Sequence, residues 1–233
     1  MDLKIKDVAE LLSVSETTIR RWLLDGKIPA YKLNRQYRFS RIEIENWVME
    51  QKLSKHTAAE LLPASGEEQI FPQPGNQQFS LYRALNRGGV IADVEGETKE
   101  EVILASTASI AEKLRHDPDV LSELLLDRER LMPTAFNNGV AVPHTRECLQ
   151  KVPFDLVTIV FPEKPIEYGA LDKKPVDILF FLFATGDKIH LHLLAKLAHL
   201  SSNEEFLAFL RTHPAKTELL ERVRQWEGSL NIG

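Results

Sequence analysis

One stretch of low apolar content divides this chain and limits what it can fold into. Residues 51–76 combine polar side chains with prolines and glycines, which is typical of a linker and not of a packed core. A chain of 233 residues fits one or two domains. The sequence therefore predicts a small domain over residues 1–50, a linker over 51–76 and a larger domain over 77–233.

Charge is distributed unevenly between these segments. The whole chain carries a net charge of −5, which argues against a protein that coats nucleic acid by charge alone. Between Thr17 and Arg38, however, six basic residues stand against one acid, Asp25. The positive charge is concentrated near the N-terminus, and the larger domain is acidic.

The sequence gives no sign of secretion or of membrane insertion. Cys148 is the only cysteine, so no intrachain disulfide can form, as suits a reducing compartment. The N-terminus lacks the long apolar core of a signal peptide, and the longest apolar run, residues 178–185, is too short to cross a bilayer. We therefore expect a cytoplasmic protein without a membrane partner.

The first fifty residues have the pattern of a helix-turn-helix followed by a hairpin. A short amphipathic helix that begins at Lys6 or Asp7 is predicted from the apolar positions 8, 11 and 12, and Ser15 can cap a second helix over 16–25. Residues 30–39 predict a β-hairpin with a polar tip, and a further helix follows Ser40. Two short helices joined by a tight turn form the helix-turn-helix arrangement.

This stretch, over about residues 3–49, resembles the excisionase-type DNA-binding domain, a relative of the MerR winged helix. The resemblance implies that the second helix enters the major groove, where arginine can bind guanine through two hydrogen bonds, and that the hairpin contacts phosphates. One such domain makes few base contacts, so specific binding would need a homodimer or a partner protein. A docking module for a protein is the alternative interpretation. The candidate DNA-binding residues are Thr17, Thr18, Arg20, Arg21, Lys32, Arg35 and Arg38.

The larger domain mixes predicted helices with predicted strands. Residues 156–161 and 176–183 are apolar strands, the second of them buried on both faces. Asn138-Gly139 suits a tight turn, since both residues tolerate positive φ angles, and the strand 140–144 that follows ends at a histidine. The fold class predicted for this domain is α/β (α+β), with helices flanking a mixed central sheet.

Several separated motifs follow one another between about residues 79 and 226. They are Arg128-Glu129, Pro133-Thr134-Ala135, the run GVAVPH over 139–144, the segments 165–172 and 175–180, and His190-Leu191 with 194–197. Together they resemble the enzyme IIA domains of the bacterial phosphotransferase system, in the fructose, mannitol and nitrogen-regulatory (PtsN-like) class. Because the motifs occur in the right order, the resemblance is far more specific than GVAVPH alone.

The resemblance implies that His144 accepts a phosphoryl group from a phosphohistidine on HPr or its nitrogen-branch counterpart, as a transferase-class carrier. A neutral imidazole nitrogen is a good nucleophile toward phosphorus near pH 7. The resemblance also implies that Arg128 holds the phosphoryl oxygens, that Thr134 donates a hydrogen bond and that His190 is the family's second histidine. The group is carried covalently, so we expect no separate cofactor and no metal.

Helix geometry supports His190 over His192 for this second position. At 3.6 residues per turn, His190 shares a face with the apolar residues Leu193, Leu194 and Leu197, whereas His192 lies on the opposite side. A zinc site from His144, His190 and His192 is a rival interpretation. Residues two apart on a helix point about 200° apart, however, and cannot easily share a metal.

Two positions depart from the family's pattern. Thr145 stands where a small residue is usual, and Ala135-Phe136-Asn137 stands where glycine-rich spacing is usual. The first could narrow access to the imidazole, and the second could alter the loop that meets the donor.

Three functions follow from these observations. The one we favour is a regulator in which phosphorylation of His144 changes the contacts of a DNA-binding domain. The alternative is a sugar-transport phosphocarrier whose N-terminal module docks a protein. A degenerate binding domain that is not phosphorylated is the third.

Overall fold

The computed structural model describes residues 2–58, 80–149, 152–170 and 172–229. The chain forms two compact units, Met1–Pro74 and Gly75–Gly233. Most of the predicted linker over 51–76 lies outside the described residues.

The N-terminal unit is a small sheet with helices packed against it. Its elements are β1 (Asp2–Leu3), α1 (Ile5–Leu12), α2 (Glu16–Leu24), β2 (Tyr31–Leu33), β3 (Gln36–Ser40) and α3 (Arg41–Ala58). Among the described residues, the strands form an antiparallel sheet in the order β1-β3-β2. The predicted helix-turn-helix and hairpin are confirmed.

A helix cap and a pair of buried tryptophans hold α2 in place. Ser15 caps α2, because its side-chain oxygen accepts a hydrogen bond from the Thr18 N–H at 3.1 Å. Trp22 of α2 and Trp47 of α3 are both buried, with ring centroids 5.5 Å apart. The Trp47 Nε1–H also donates to the Lys27 carbonyl at 2.6 Å, so the polar tip of this ring is satisfied inside the core.

Two features of this unit were not predicted from the sequence. Helix α3 continues to Ala58, past the expected boundary at residue 50, because no proline or glycine interrupts residues 41–62. Strand β1 pairs Asp2 with Ser40 and Leu3 with Phe39. Two residues are too few to show the alternation by which a strand is recognised.

The C-terminal unit is a mixed sheet flanked by helices, as predicted. Its elements are α4 (Ser80–Gly88), β4 (Gly89–Val94), α5 (Lys99–Leu114), α6 (Pro118–Leu131), β5 (Val140–Ala141), β6 (Leu156–Pro162), β7 (Ile178–Phe183), α7 (Asp187–Ser201), α8 (Glu204–Leu210) and α9 (Lys216–Ser229). Among the described residues, the sheet order is β4-β6-β7-β5. Strand β6 runs parallel to β4 and antiparallel to β7, which is parallel to β5.

The centre of this sheet is the core of the unit. Every residue of β6 and β7 is buried, which confirms that β7 is covered on both faces. The last residue of α4, Gly88, approaches β6 so closely that a Cβ there would lie 1.9 Å from the Val157 carbonyl oxygen. Only glycine fits this helix end against the strand backbone.

Candidate functional site

His144 lies at the end of an extended segment held against β7. The segment begins as β5, and after it the Leu182 N–H donates to the Pro143 carbonyl at 2.9 Å, so His144 is bridged to Leu182. The regular strand is shorter than the predicted 140–144, since Pro143 has no N–H to give to a ladder. The backbone nonetheless brings His144 to the sheet.

The imidazole of His144 is fixed through one of its nitrogens. Its Nδ1 lies 2.7 Å from the carbonyl oxygen of Val142. A carbonyl oxygen only accepts hydrogen bonds, so Nδ1 carries the proton in this contact. With its proton on Nδ1, the imidazole has its lone pair on Nε2, and the backbone carbonyl selects this tautomer.

His190 stands in the first turn of α7, with its ring facing that of His144. The ring centroids are 5.1 Å apart and the planes are inclined by 58°. His190 is buried, and so are Leu193, Leu194 and Leu197, whereas His192 is less buried. The inward face predicted from helix geometry is confirmed, and the two histidines that the sequence singled out come together.

Arg128 occupies the last turn of α6 and is fully buried. Its Nη1 donates to the Met132 carbonyl oxygen at 2.9 Å. One edge of the guanidinium therefore closes the C-terminal end of the helix, where carbonyl groups lack helical partners. Its role toward a phosphoryl group stays a prediction.

The hydroxyl of Thr134 has a different partner from the one expected. It donates to Oε2 of Glu129 at 2.6 Å, and the backbone N–H of Thr134 donates to Oε1 at 2.9 Å. A hydroxyl has one proton, so while this bond is made Thr134 does not donate to a phosphoryl oxygen. Glu129 belongs to the motif Arg128-Glu129, from which no role for its carboxylate was predicted. Its place near the end of a helix just before Pro133 was the signal that pointed to this contact.

Glu129 also has two partners outside the segment 129–134. The Tyr168 hydroxyl donates to its Oε2 at 3.3 Å, and the Lys99 Nζ lies 3.8 Å from its Oε1. Burial, and next the negative charge of Glu129, raise the pKa of Tyr168 well above its ordinary value. The phenol therefore stays protonated and serves as a donor to the carboxylate.

The loop before the histidine is a tight turn, as predicted. Asn138 and Gly139 have φ angles of 65° and 78°, and the Phe136 N–H donates to the Val140 carbonyl. Phe136, one of the departures from the family's pattern, is buried. Thr145, the other, directs its hydroxyl to the Glu147 carbonyl at 2.7 Å.

In the N-terminal unit, α2 exposes Thr17, Arg20 and Arg21. Thr18 is instead buried, and its hydroxyl lies 2.9 Å from the Ser15 hydroxyl. Thr18 is thus part of the helix cap, which removes it from the set of candidate DNA contacts.

The hairpin carries the remaining basic candidates. Arg35 is exposed at the tip, where it has a φ of 64°. Lys32 lies over the Tyr37 ring, with Nζ 5.1 Å from the centroid. Arg38 donates to the Gln36 side chain at 2.8 Å, so this guanidinium is already held by a neighbour.

Comparison with known proteins matches both units to families. Residues 83–226, more than half of the chain, match the family described as phosphoenolpyruvate-dependent sugar phosphotransferase system, EIIA 2. Residues 3–52 match a helix-turn-helix domain. Among the described residues, no helix has the length and apolar character needed to span a membrane.

Individual relatives agree with these matches. The chain is 31% identical over 154 residues to the nitrogen regulatory protein of Escherichia coli K12, covering 65% of this chain and 93% of the relative. It is 41% identical over 66 residues to the transcriptional repressor DcmR of Methylorubrum extorquens, which covers 28% of this chain and 23% of the relative. The crystal structure of nitrogen regulatory protein IIA-Ntr from Neisseria meningitidis has a TM-score of 0.55 at 24% identity, covering 60% of this chain and 97% of that one, and so shares its fold.

Proposed function

Because the chain belongs to the EIIA 2 family of the phosphoenolpyruvate-dependent sugar phosphotransferase system, we propose that His144 accepts a phosphoryl group from a phosphohistidine on an HPr-like carrier. The observation that carries this proposal is the 2.7 Å contact between the His144 Nδ1 and the Val142 carbonyl. It holds the proton on one ring nitrogen and the nucleophilic lone pair on the other.

The transfer is balanced without any further reactant. The Nε2 of His144 forms a bond to phosphorus as the donor's nitrogen–phosphorus bond breaks, and that electron pair returns to the donor imidazole. The ring of His144 becomes positively charged as its new bond forms. The hydrogen bond from Nδ1 to the Val142 carbonyl then becomes charge-assisted, which stabilises the phosphorylated ring.

The neighbours of His144 have separate roles in this proposal. His190, with its ring centroid 5.1 Å from that of His144, donates a hydrogen bond to the phosphoryl oxygens. Arg128 supplies positive charge, in the manner of the guanidinium groups that hold phosphate in a fixed fork. Little else is asked of the protein, since phosphoryl transfer depends mostly on alignment and on stabilisation of the oxygen charges.

In the proposed regulator, the N-terminal unit binds DNA. We propose that α2 enters the major groove of DNA and that the hairpin of β2 and β3 contacts phosphates. Support comes from the exposed Arg20 and Arg21, from the helix-turn-helix match and from a relative named as a transcriptional repressor. A phosphoryl group adds about two negative charges, so phosphorylation of His144 is proposed to alter DNA affinity.

One experiment separates this regulator from a phosphocarrier. The full chain is incubated with phosphoenolpyruvate, the general phosphotransferase enzymes and HPr, and acid-labile phosphate is measured for the wild type, for His144→Ala and for the control His192→Ala. We expect label on the wild type and the control, and none on His144→Ala. An unlabelled wild type would contradict the proposal.

DNA binding is then measured with and without the phosphoryl group, on a pool of random 30-base-pair duplexes (about three helical turns) and on sites selected from it. An affinity that changes on phosphorylation supports the regulator. Label without DNA affinity in either state supports the carrier whose N-terminal unit docks a protein.

A further inference from the structure

Both carboxylate oxygens of Glu129 accept hydrogen bonds from the same residue, Thr134. Oε1 accepts the Thr134 backbone N–H at 2.9 Å, and Oε2 accepts the Thr134 hydroxyl at 2.6 Å. Glu129 belongs to α6 and Thr134 lies beyond its end, so this contact fixes how the chain leaves the helix. Both residues are 2% exposed, and hydrogen bonds to a buried carboxylate are strong.

Two further groups hold the carboxylate in one orientation. The Tyr168 hydroxyl donates to Oε2 at 3.3 Å, and the Lys99 Nζ lies 3.8 Å from Oε1 and 5.5 Å from the centre of the Tyr168 ring. The lysine balances a charge that would otherwise be costly to bury. The carboxylate is thus held in one orientation by its partners, as suits a structural contact.

From Thr134 the contacts continue to the phosphorylation site. The Thr134 carbonyl accepts the Val142 N–H at 3.0 Å, and the Val142 carbonyl lies 2.7 Å from the His144 Nδ1. Two residues, Thr134 and Val142, therefore join Glu129 to the imidazole through consecutive hydrogen bonds. The opposite side of the segment is held by the bond from Leu182 to Pro143.

We infer that Glu129 is a positioning residue that sets the tautomer of His144 by holding Thr134, and through it Val142, in place. The inference rests on the proposed function, since it matters only if Nε2 of His144 is the nucleophile. A hydrogen-bond acceptor placed beside one nitrogen of a histidine ring keeps the proton on that nitrogen. A loosened Val142 carbonyl lets the proton move to Nε2, and that tautomer has no free lone pair on Nε2 with which to attack phosphorus.

The substitution Glu129→Gln tests this inference in the full chain. A glutamine has the same shape but one accepting oxygen and no charge, so it accepts one Thr134 donor and meets the hydroxyl with its own N–H. Both contacts then lose the charge assistance that the carboxylate supplies. We expect nitrogen-15 NMR to show a smaller fraction of His144 with its proton on Nδ1. We also expect the single-turnover phosphorylation rate to fall by about tenfold or more at saturating HPr, with an unchanged KM for HPr, as for small displacements of a reacting group.

Three further variants separate positioning from a general loss of structure. Thr134→Val keeps the shape and the N–H but loses the hydroxyl, and it should shift the tautomer in the same direction as Glu129→Gln. Thr134→Ser keeps both donors and should retain the wild-type tautomer. Tyr168→Phe removes one 3.3 Å bond from the same carboxylate and the contact of the phenol with the Thr134 side chain. It leaves both bonds from Thr134 to Glu129 in place, so it should also retain the tautomer.

The outcomes distinguish this inference from the proposed function. An unchanged tautomer in both Glu129→Gln and Thr134→Val overturns the inference, and so does a rise in KM alone. If Glu129→Gln does not fold, the pair Thr134→Val and Thr134→Ser decides. A wild type that is not phosphorylated overturns the proposed function, while the NMR measurement, made without phosphate, still decides whether Glu129 sets the tautomer.

Discussion

The rings of His144 and His190 face each other with their centroids 5.1 Å apart and their planes inclined by 58°. One ring comes from a segment bonded to β7, and the other from the first turn of the helix that follows β7. The pair is therefore built on β7, an inner strand of the sheet, and on the helix directly after it. Rigid elements of this kind hold reacting groups in a fixed geometry.

This geometry predicts that His190→Ala slows phosphorylation of His144. Loss of one donor to the developing negative charge costs about 10²–10³ in rate. Single-turnover labelling from phosphorylated HPr measures the rate directly. The matched control is His192→Ala, the same residue type two positions along α7 on a less buried side, which should keep the wild-type rate. Equal rates for the two variants would contradict the role given to His190.

The sequence predicted the elements of the fold better than the contacts between them. Apolar runs predicted the buried strands β6 and β7, because burial imposes such a pattern on a sequence. The sequence also predicted that His190 faces inward, since helical periodicity fixes direction. It did not predict that Thr134 would be bound by Glu129, because that contact depends on how the chain turns after α6 at Pro133. The spacing of apolar residues does not predict the direction of such a turn.

Thr18 illustrates the same limit in the N-terminal unit. Its position beside Thr17 on α2 suggested a contact with DNA. The structure places it one turn after Ser15, where its N–H and hydroxyl belong to the helix cap. A capping residue and a base-reading residue occupy the same few positions at the start of a helix, so sequence alone does not separate them.

Gly139→Ala is predicted to destabilise the turn before His144. The residue has a φ of 78°, and a Cβ there would lie 2.8 Å from the Asp177 Oδ1. An L-residue in this conformation costs about 1–2 kcal/mol, to which the contact adds. Urea denaturation of the full chain should show this loss in the C-terminal unit. The control is Gly228→Ala in α9, where nothing lies within 4 Å and alanine favours the helix. Equal stabilities would contradict the prediction.

Stability of the C-terminal unit is predicted to fall above about pH 10 because of Tyr168. Burial, and next the charge of Glu129, raise its pKa well above the ordinary value of 10.0. The unfolded chain releases the phenolic proton near pH 10 while the folded chain keeps it, so the unfolded state then binds fewer protons. The free energy of unfolding falls by up to about 1.4 kcal/mol per pH unit relative to Tyr168→Phe. Unfolding of both proteins between about pH 8 and pH 11 measures the difference, and parallel pH profiles would contradict it.

Glu227→Ala is predicted to be strongly destabilising. This buried carboxylate accepts the N–H groups of Leu81 and Tyr82 at the start of α4 and pairs with the Lys196 Nζ at 2.6 Å. Removing one member of a buried ion pair costs about 3–5 kcal/mol. Guanidinium denaturation measures the loss.

The control for Glu227 lies on the same helix. Glu221→Ala breaks an exposed pair with Arg224 and should change stability little. A second variant, Lys196→Met with Glu227→Leu, removes both charges but still leaves the α4 N–H groups without their carboxylate. It should recover only part of the loss. Full recovery would mean that the ion pair alone, and not the helix cap, makes Glu227 important.

The proposed DNA interface predicts different effects for the hairpin and for α2. Arg35 stands exposed at the hairpin tip with a φ of 64°, so Arg35→Gly removes its charge while suiting the same backbone. If Arg35 contacts a phosphate, this variant should bind all duplexes more weakly and reduce the slope of log affinity against log salt by about 1.

Arg20 is expected to contribute specificity instead. Its guanidinium forms a 3.4 Å surface pair with Glu16, and 61% of the side chain is exposed, so it can turn into a groove. Arg20→Ala should cost about 1–3 kcal/mol on a selected site and little on random DNA. Arg130→Ala, which removes an exposed arginine from α6, is the control and should leave both affinities unchanged. Equal losses on selected and random DNA would assign Arg20 to the phosphate backbone, because a phosphate contact carries no base identity.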